Sequence, residues 1–156
     1  METLYIKNFG PINDARIEVK DINIFIGAIS GKSTAAKLIA IFKAISLRSK
    51  ITFTEFKKLL KEYNIDFAVN VDTILHYINE NVDIKVDNKT VLIISAEISN
   101  QYKINPIYIS AERLFFSTVS QSIFSLINND ISLPKWLIDF GAKFEQARNA
   151  VKKNSH

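Results

Sequence analysis

Hydrophobic positions recur along the chain in two periods, and the switches between them outline the elements. Thr3–Phe9, TLYIKNF, reads as a strand, Gly10-Pro11 turns the chain, and residues 15–19, ARIEV, alternate apolar and charged positions as a second strand does. Lys20-Asp21 then leads into residues 22–26, INIFI, an apolar run that predicts a buried strand. Residues 33–47 carry apolar side chains all round, which predicts a helix covered on more than one side. Thr54 is placed to cap a short helix, TEFKKLLKEY, whose Phe56, Leu59, Leu60 and Tyr63 share a face, with Lys57, Lys58 and Lys61 elsewhere. Asp72 is read as the cap of another helix, TILHYINEN, with His76 among apolar neighbours. Residues 82–86 and 90–98 flank the turn-forming Asp87-Asn88-Lys89 as a β-hairpin. Residues 107–110 read as a strand and 111–128 as a helix. Ser132 and Pro134 start a final helix, with Pro134 at its first position and Arg148, Lys152 and Lys153 near its C-terminus.

The pattern turns on residues 22–34, INIFIGAISGKST, where an apolar run breaks at a glycine and passes through Gly31-Lys32-Ser33-Thr34 into a helix. This is the grammar of a phosphate-binding loop, the Walker A motif. A helix begins with unpaired N–H groups that favour an anion in front of them. Backbone from Gly27 through Ala28, Ile29 and Ser30 to Gly31 would surround the phosphates, and the Lys32 ammonium would reach the β- and γ-phosphates. The Ser33 hydroxyl would ligate Mg²⁺, while Thr34 supports the first helical turn. Three residues separate Gly27 from Gly31, whereas the motif has four in that place. Counted back from Lys32, Ile26 stands where the first glycine belongs, and a β-branched residue resists positive φ. The alternative is a strand-turn-helix whose GKST only starts the helix.

Composition narrows the remaining chemistry. The 156 residues suffice for one core, and 47% hydrophobic with 23% charged residues is the balance of a folded domain. A net charge of +4 permits contact with nucleic acid without requiring it. With no cysteine there is no disulfide and no thiolate metal site, and His76 and His156 do not suffice for zinc. Any metal is expected to arrive with a nucleotide. No leader and no apolar run of membrane-spanning length stands out, so a cytoplasmic chain without membrane contact is expected.

The order LYIKNFGPINDARIEVKDINIFIG followed by GKSTAAKLI resembles the opening of the ABC-like, AAA-domain P-loop ATPases of the RecF, SMC and overcoming-lysogenization-defect group, over about the first 45 residues. The segment IYISAER, residues 107–113, is similar to the "YIPAER" stretch of that group, with Ser110 in place of proline. The resemblance implies an α/β, P-loop NTPase-like mixed sheet with an N-terminal antiparallel hairpin, flanking helices and an incomplete C-terminal half. Residues 1–47 would hold the hairpin, loop and loop helix, residues 48–105 inserted helices and a hairpin, and residues 106–156 a strand and C-terminal helices. ATP and Mg²⁺ are the implied ligands. A homodimer or larger ATPase assembly is the implied state, with DNA or a nuclease as partner. Glu112 and Arg113 would lie near the nucleotide or form a surface ion pair, and Gln121 is a candidate for sensing Mg²⁺ or water.

Hydrolysis needs more than this loop. The run ending at Glu97 is a poor Walker B strand, because Ser95 replaces the usual aspartate, and no signature motif or switch histidine stands out. Asp139-Phe140-Gly141 spells a kinase triplet but lies in a helical pattern. The chain therefore reads as an ATP-binding domain, or the N-terminal part of a longer ATPase, whose catalytic half is missing or supplied by a partner. The alternative reading is a degenerate, non-hydrolysing P-loop fold that serves as a protein or nucleic-acid interaction module.

Overall fold

A computed structural model describes residues 1–26, 30–48, 50–87, 90–95, 106–109, 133 and 135–153, in two compact units, Met1–Pro106 and Ile107–His156. In the first unit β1 (Thr3–Phe9), β2 (Ile12–Glu18), β3 (Ile74–Ile78), β4 (Val82–Asp87) and β5 (Thr90–Ser95) form one sheet in the order β2-β1-β3-β4-β5. Helices α1 (Lys32–Ile45) and α2 (Phe53–Glu62) and a 3₁₀ turn (Asp66–Ala68) lie between β2 and β3 in sequence.

Every neighbouring pair in this sheet is antiparallel. That overturns the mixed, P-loop NTPase-like sheet, since the sheet of such a fold is mostly parallel. The physical reason lies in the connections. Short turns join β1 to β2 and β3 to β4, only two residues separate β4 from β5 in sequence, and so short a connection can only bring its strands together antiparallel. The one long connection, through both helices, returns β3 beside β1 and again antiparallel.

The register stacks one apolar row across the sheet: Leu4 opposes Tyr77, which opposes Ile84, and Ile6 opposes Leu75, which opposes Val86. All six are buried. Phe42 of α1 stacks on Tyr77, 5.7 Å between ring centres, and meets Phe56 of α2 at 5.9 Å, so both helices cover this face. α1 buries Ala35, Leu38, Ile39, Ala40, Ile41, Phe42 and Ile45, as a helix apolar on most sides must.

Three local expectations are corrected. Residues 74–78 are strand β3 and not a helix capped by Asp72: Leu75 and Tyr77 face inward and Ile74, His76 and Ile78 outward, and β1 and β4 occupy both edges. Tertiary pairing decides a stretch whose apolar residues fit either period. α2 is capped by Thr52 rather than Thr54, because Glu55 stands three residues after Thr52 and completes a capping box: Thr52 N–H donates to Glu55 at 2.7 Å and Glu55 N–H to Thr52 Oγ1 at 3.2 Å. Residues 22–26 are not a buried strand. They form no ladder, and Ile22, Ile24 and Ile26 are 81%, 78% and 88% exposed. β1 has β2 and β3 on its two edges, so neither is open to such a segment.

In the second unit α3 spans Lys135–Lys153, with Asp139-Phe140-Gly141 inside it. Tyr108 meets Trp136 edge to face at 5.5 Å, and Lys135–Asp139 and Glu145–Arg148 pair along the helix. Residues 107–109 carry no strand, having no ladder partner among the described residues. Ser110, Glu112, Arg113, Gln121, Ser132 and Pro134 lie outside the described residues, as do Glu97 and the helix expected over 111–128.

Candidate phosphate-binding site

The GKST tetrapeptide stands at the start of α1, as expected, but the buried strand expected before it is absent. Gly31 is the N-cap, with φ +97° and ψ −15°, and no side chain caps the helix. No acidic residue occupies the first turn of the helix itself. Lys32, Ser33 and Thr34 follow on that turn, Ser33 exposed and the other two half-buried, and Ser30 just before it is exposed. Gly27, Ala28 and Ile29 lie outside the described residues.

Packing and backbone conformation both call for glycine at position 31. A Cβ on it would come within 2.9 Å of Ile12 Cγ1 and 3.7 Å of Pro11, and its φ is one that L side chains rarely adopt. The start of α1 thus rests on the tip of the β1–β2 hairpin, and two motifs distant in sequence, FGPI and GKST, meet in space.

The hairpin tip is itself held from its other side. Gly10, at φ +53°, donates its N–H to the Ala68 carbonyl at 3.0 Å, and a Cβ there would lie 2.9 Å from Ala68 Cβ. The carbonyl of Asn8, also at positive φ, accepts from Thr73 Oγ1 at 2.7 Å and from Asn70 Nδ2 at 3.1 Å. Asn8 Nδ2 donates back to the Asp72 carbonyl at 3.3 Å. Thr73 is buried, and its hydroxyl also accepts from the Asn70 N–H at 3.0 Å. Asn8, Asn70 and Thr73 were not singled out from the sequence. The only signal was an asparagine before the Phe9-Gly10 turn, a residue type that tolerates positive φ.

At its far end α1 is tied by Lys43, which pairs with Glu2 at 3.6 Å and donates to the Lys20 carbonyl at 3.2 Å. Glu2 also accepts from the Tyr77 hydroxyl at 2.7 Å. Burial, followed by this carboxylate, pushes the Tyr77 hydroxyl well above the ordinary tyrosine range, so it stays protonated and holds the sheet to the helix layer. Lys20 and Asn23 close a small turn by two hydrogen bonds of 3.0 and 2.7 Å, which anchors the segment that precedes the loop.

His76 is not part of this site. On the outer face of β3 its Nε2 lies 2.8 Å from Asp83 Oδ1 of β4. Among the described residues no three or more His, Cys, Asp or Glu side chains gather as a metal site. The arrangement defines an α+β domain with an anion-favouring helix start buttressed by a hairpin. No family model matches the chain, and neither a curated protein nor a solved structure matches it. Among the described residues no helix is long and apolar enough to cross a membrane.

Proposed function

We propose that the chain binds the phosphates of a nucleotide, ATP with Mg²⁺, at the start of α1. The observation that carries this reading is the helix start itself: a 14-residue helix, no side-chain cap, no acid in its first turn, and Lys32 and Ser33 on that turn. Lys32 supplies a cation for the β- and γ-phosphates, Ser33 a hydroxyl for the phosphate-bound Mg²⁺, and the backbone from Gly27 to Gly31 the surrounding donors. The antiparallel sheet sets this apart from the fold that the resemblance implied, so the reading rests on the local chemistry alone.

Binding is the function assigned; hydrolysis needs a group that activates water, brought by a second protomer or a larger ATPase assembly. On this reading the chain works in the cytoplasm beside such a partner, with DNA or a nuclease as the class of target. Calorimetric titration with a non-hydrolysable ATP analogue tests it. Mg²⁺ strengthens binding, and Lys32→Ala weakens it at least about tenfold, or about 1.4 kcal/mol, while leaving the circular dichroism unchanged.

A second reading, a protein-interaction module, draws on one observation, the exposure of Ile22, Ile24 and Ile26. Absence of binding at about millimolar nucleotide, weaker than about −4 kcal/mol, would put it first.

A further inference from the structure

Among the described residues the two edge strands of the sheet carry different chemistry. β2 closes one side, and its outward row is Asp14, Arg16 and Glu18, in register with Lys7, Tyr5 and Thr3 of β1. Charges on an edge deter a further strand. Among the described residues β5 closes the other side, and its sequence, TVLIIS, holds neither charge nor proline. Leu92 and Ile94 stand on its outer face, 51% and 57% exposed, beyond Lys85 and Asp83 of β4. Val91 and Ile93 are half-buried on the opposite face, where α2 approaches the strand.

We infer that β5 is a self-pairing edge, through which two copies of this chain join antiparallel about a two-fold axis into one continuous sheet. The occupant is a second copy because the strand is complementary to itself. In an antiparallel pair, residues directly opposite share a face, so a register centred on Ile93 sets Leu92 against Ile94 of the other copy, twice. Four apolar side chains then meet on the outer face and Ile93 meets Ile93 on the helix-bearing face. No charge opposes a like charge, because the strand has none. The two rows of backbone donors and acceptors satisfy each other, and one surface serves both protomers, as a two-fold interface requires. β2 offers no such match, since an added strand there would have to accommodate its charged row.

This assembly is independent of nucleotide, so its test is run without any. Sedimentation velocity of the full chain from about 1 μM to about 1 mM covers the range in which so small an interface exchanges, and a monomer–dimer equilibrium is expected. Leu92→Lys, at an exposed position, raises the dimer dissociation constant at least about tenfold and leaves the circular dichroism and melting of the monomer unchanged. Arg16→Ala on the opposite edge leaves dimerisation as it was. Hydrogen exchange of the amides of residues 91–94 slows with concentration in the native chain, a readout that does not depend on whether any variant folds. A chain monomeric throughout, or a dimer that Leu92→Lys leaves intact, overturns the proposal. So does equal protection of the β5 amides in the monomer, which would mean that another segment of the same chain covers the edge.

Discussion

β1 and the segment INIFI have much the same credentials. Each is short, rich in β-branched and aromatic residues, and alternates between two faces, yet Leu4 and Ile6 of β1 are fully buried while Ile22, Ile24 and Ile26 stand in solvent. The difference is not propensity but partners. β1 has β2 on one edge and β3 on the other, and helices over one face. INIFI is pinned near its start by the Lys20–Asn23 turn and leads toward the helix start at Gly31, with no ladder along it. Burying one isoleucine is worth about 1.5–3 kcal/mol, a gain made in β1 and forgone three times in INIFI. Sequence states what a strand would bury; the rest of the chain decides whether it does.

The sharpest break of this comparison is to truncate both. Ile6→Ala should cost about 2–5 kcal/mol in a denaturant titration, because it opens a cavity under the helices, whereas Ile24→Ala should stay within about 0.5 kcal/mol. Equal losses would mean that INIFI is packed after all. Gly31→Ala probes the junction between the two regions, and its positive φ and the contact with Ile12 set the cost at about 1–3 kcal/mol, read as a lowered melting temperature. Thr73→Val leaves the Asn70 N–H and one bond of the Asn8 carbonyl unmet in a part-buried place, at about 1–2 kcal/mol by the same measurement. Thr52→Ala removes the capping box of α2, at about 1 kcal/mol.

The last expected effect concerns pH and is at Tyr77. Its hydroxyl is raised in the folded state, first by burial and then by Glu2, so the stabilisation is complete below the unfolded value of 10.0 and is lost as pH rises beyond it. Tyr77→Phe should therefore flatten the fall of stability on the alkaline side, measured by denaturant midpoints at several pH values, and leave the acid side unaffected.

Much of the fold could be read from residue pattern. The β1–β2 hairpin, α1, the β4–β5 hairpin and the final helix answer to period and turn chemistry. The residue pattern points to a helix at β3 because Ile74, Leu75, Tyr77 and Ile78 fit a helical face as well as a strand, and Asp72 mimics a cap. Only the edges of β1 and β4 settle the choice. The antiparallel sheet is not legible for a related reason: a local strand-loop-helix grammar carries no information on whether its strand finds a parallel neighbour. Of the site, GKST stands at a helix start as its grammar requires. Its buttress was not legible, since Gly31 meets Ile12 and Asn8 meets Asn70 and Thr73 across separations that a pattern does not encode.

The proposed binding of phosphate at the start of α1 is open to a direct test. Backbone amide NMR of the chain titrated with a non-hydrolysable ATP analogue and Mg²⁺ tests it where it is made. Saturable shifts centred on Ser30 to Ala35 and abolished by Lys32→Ala are expected. Shifts absent from that turn, or unchanged in the Lys32→Ala chain, would contradict it.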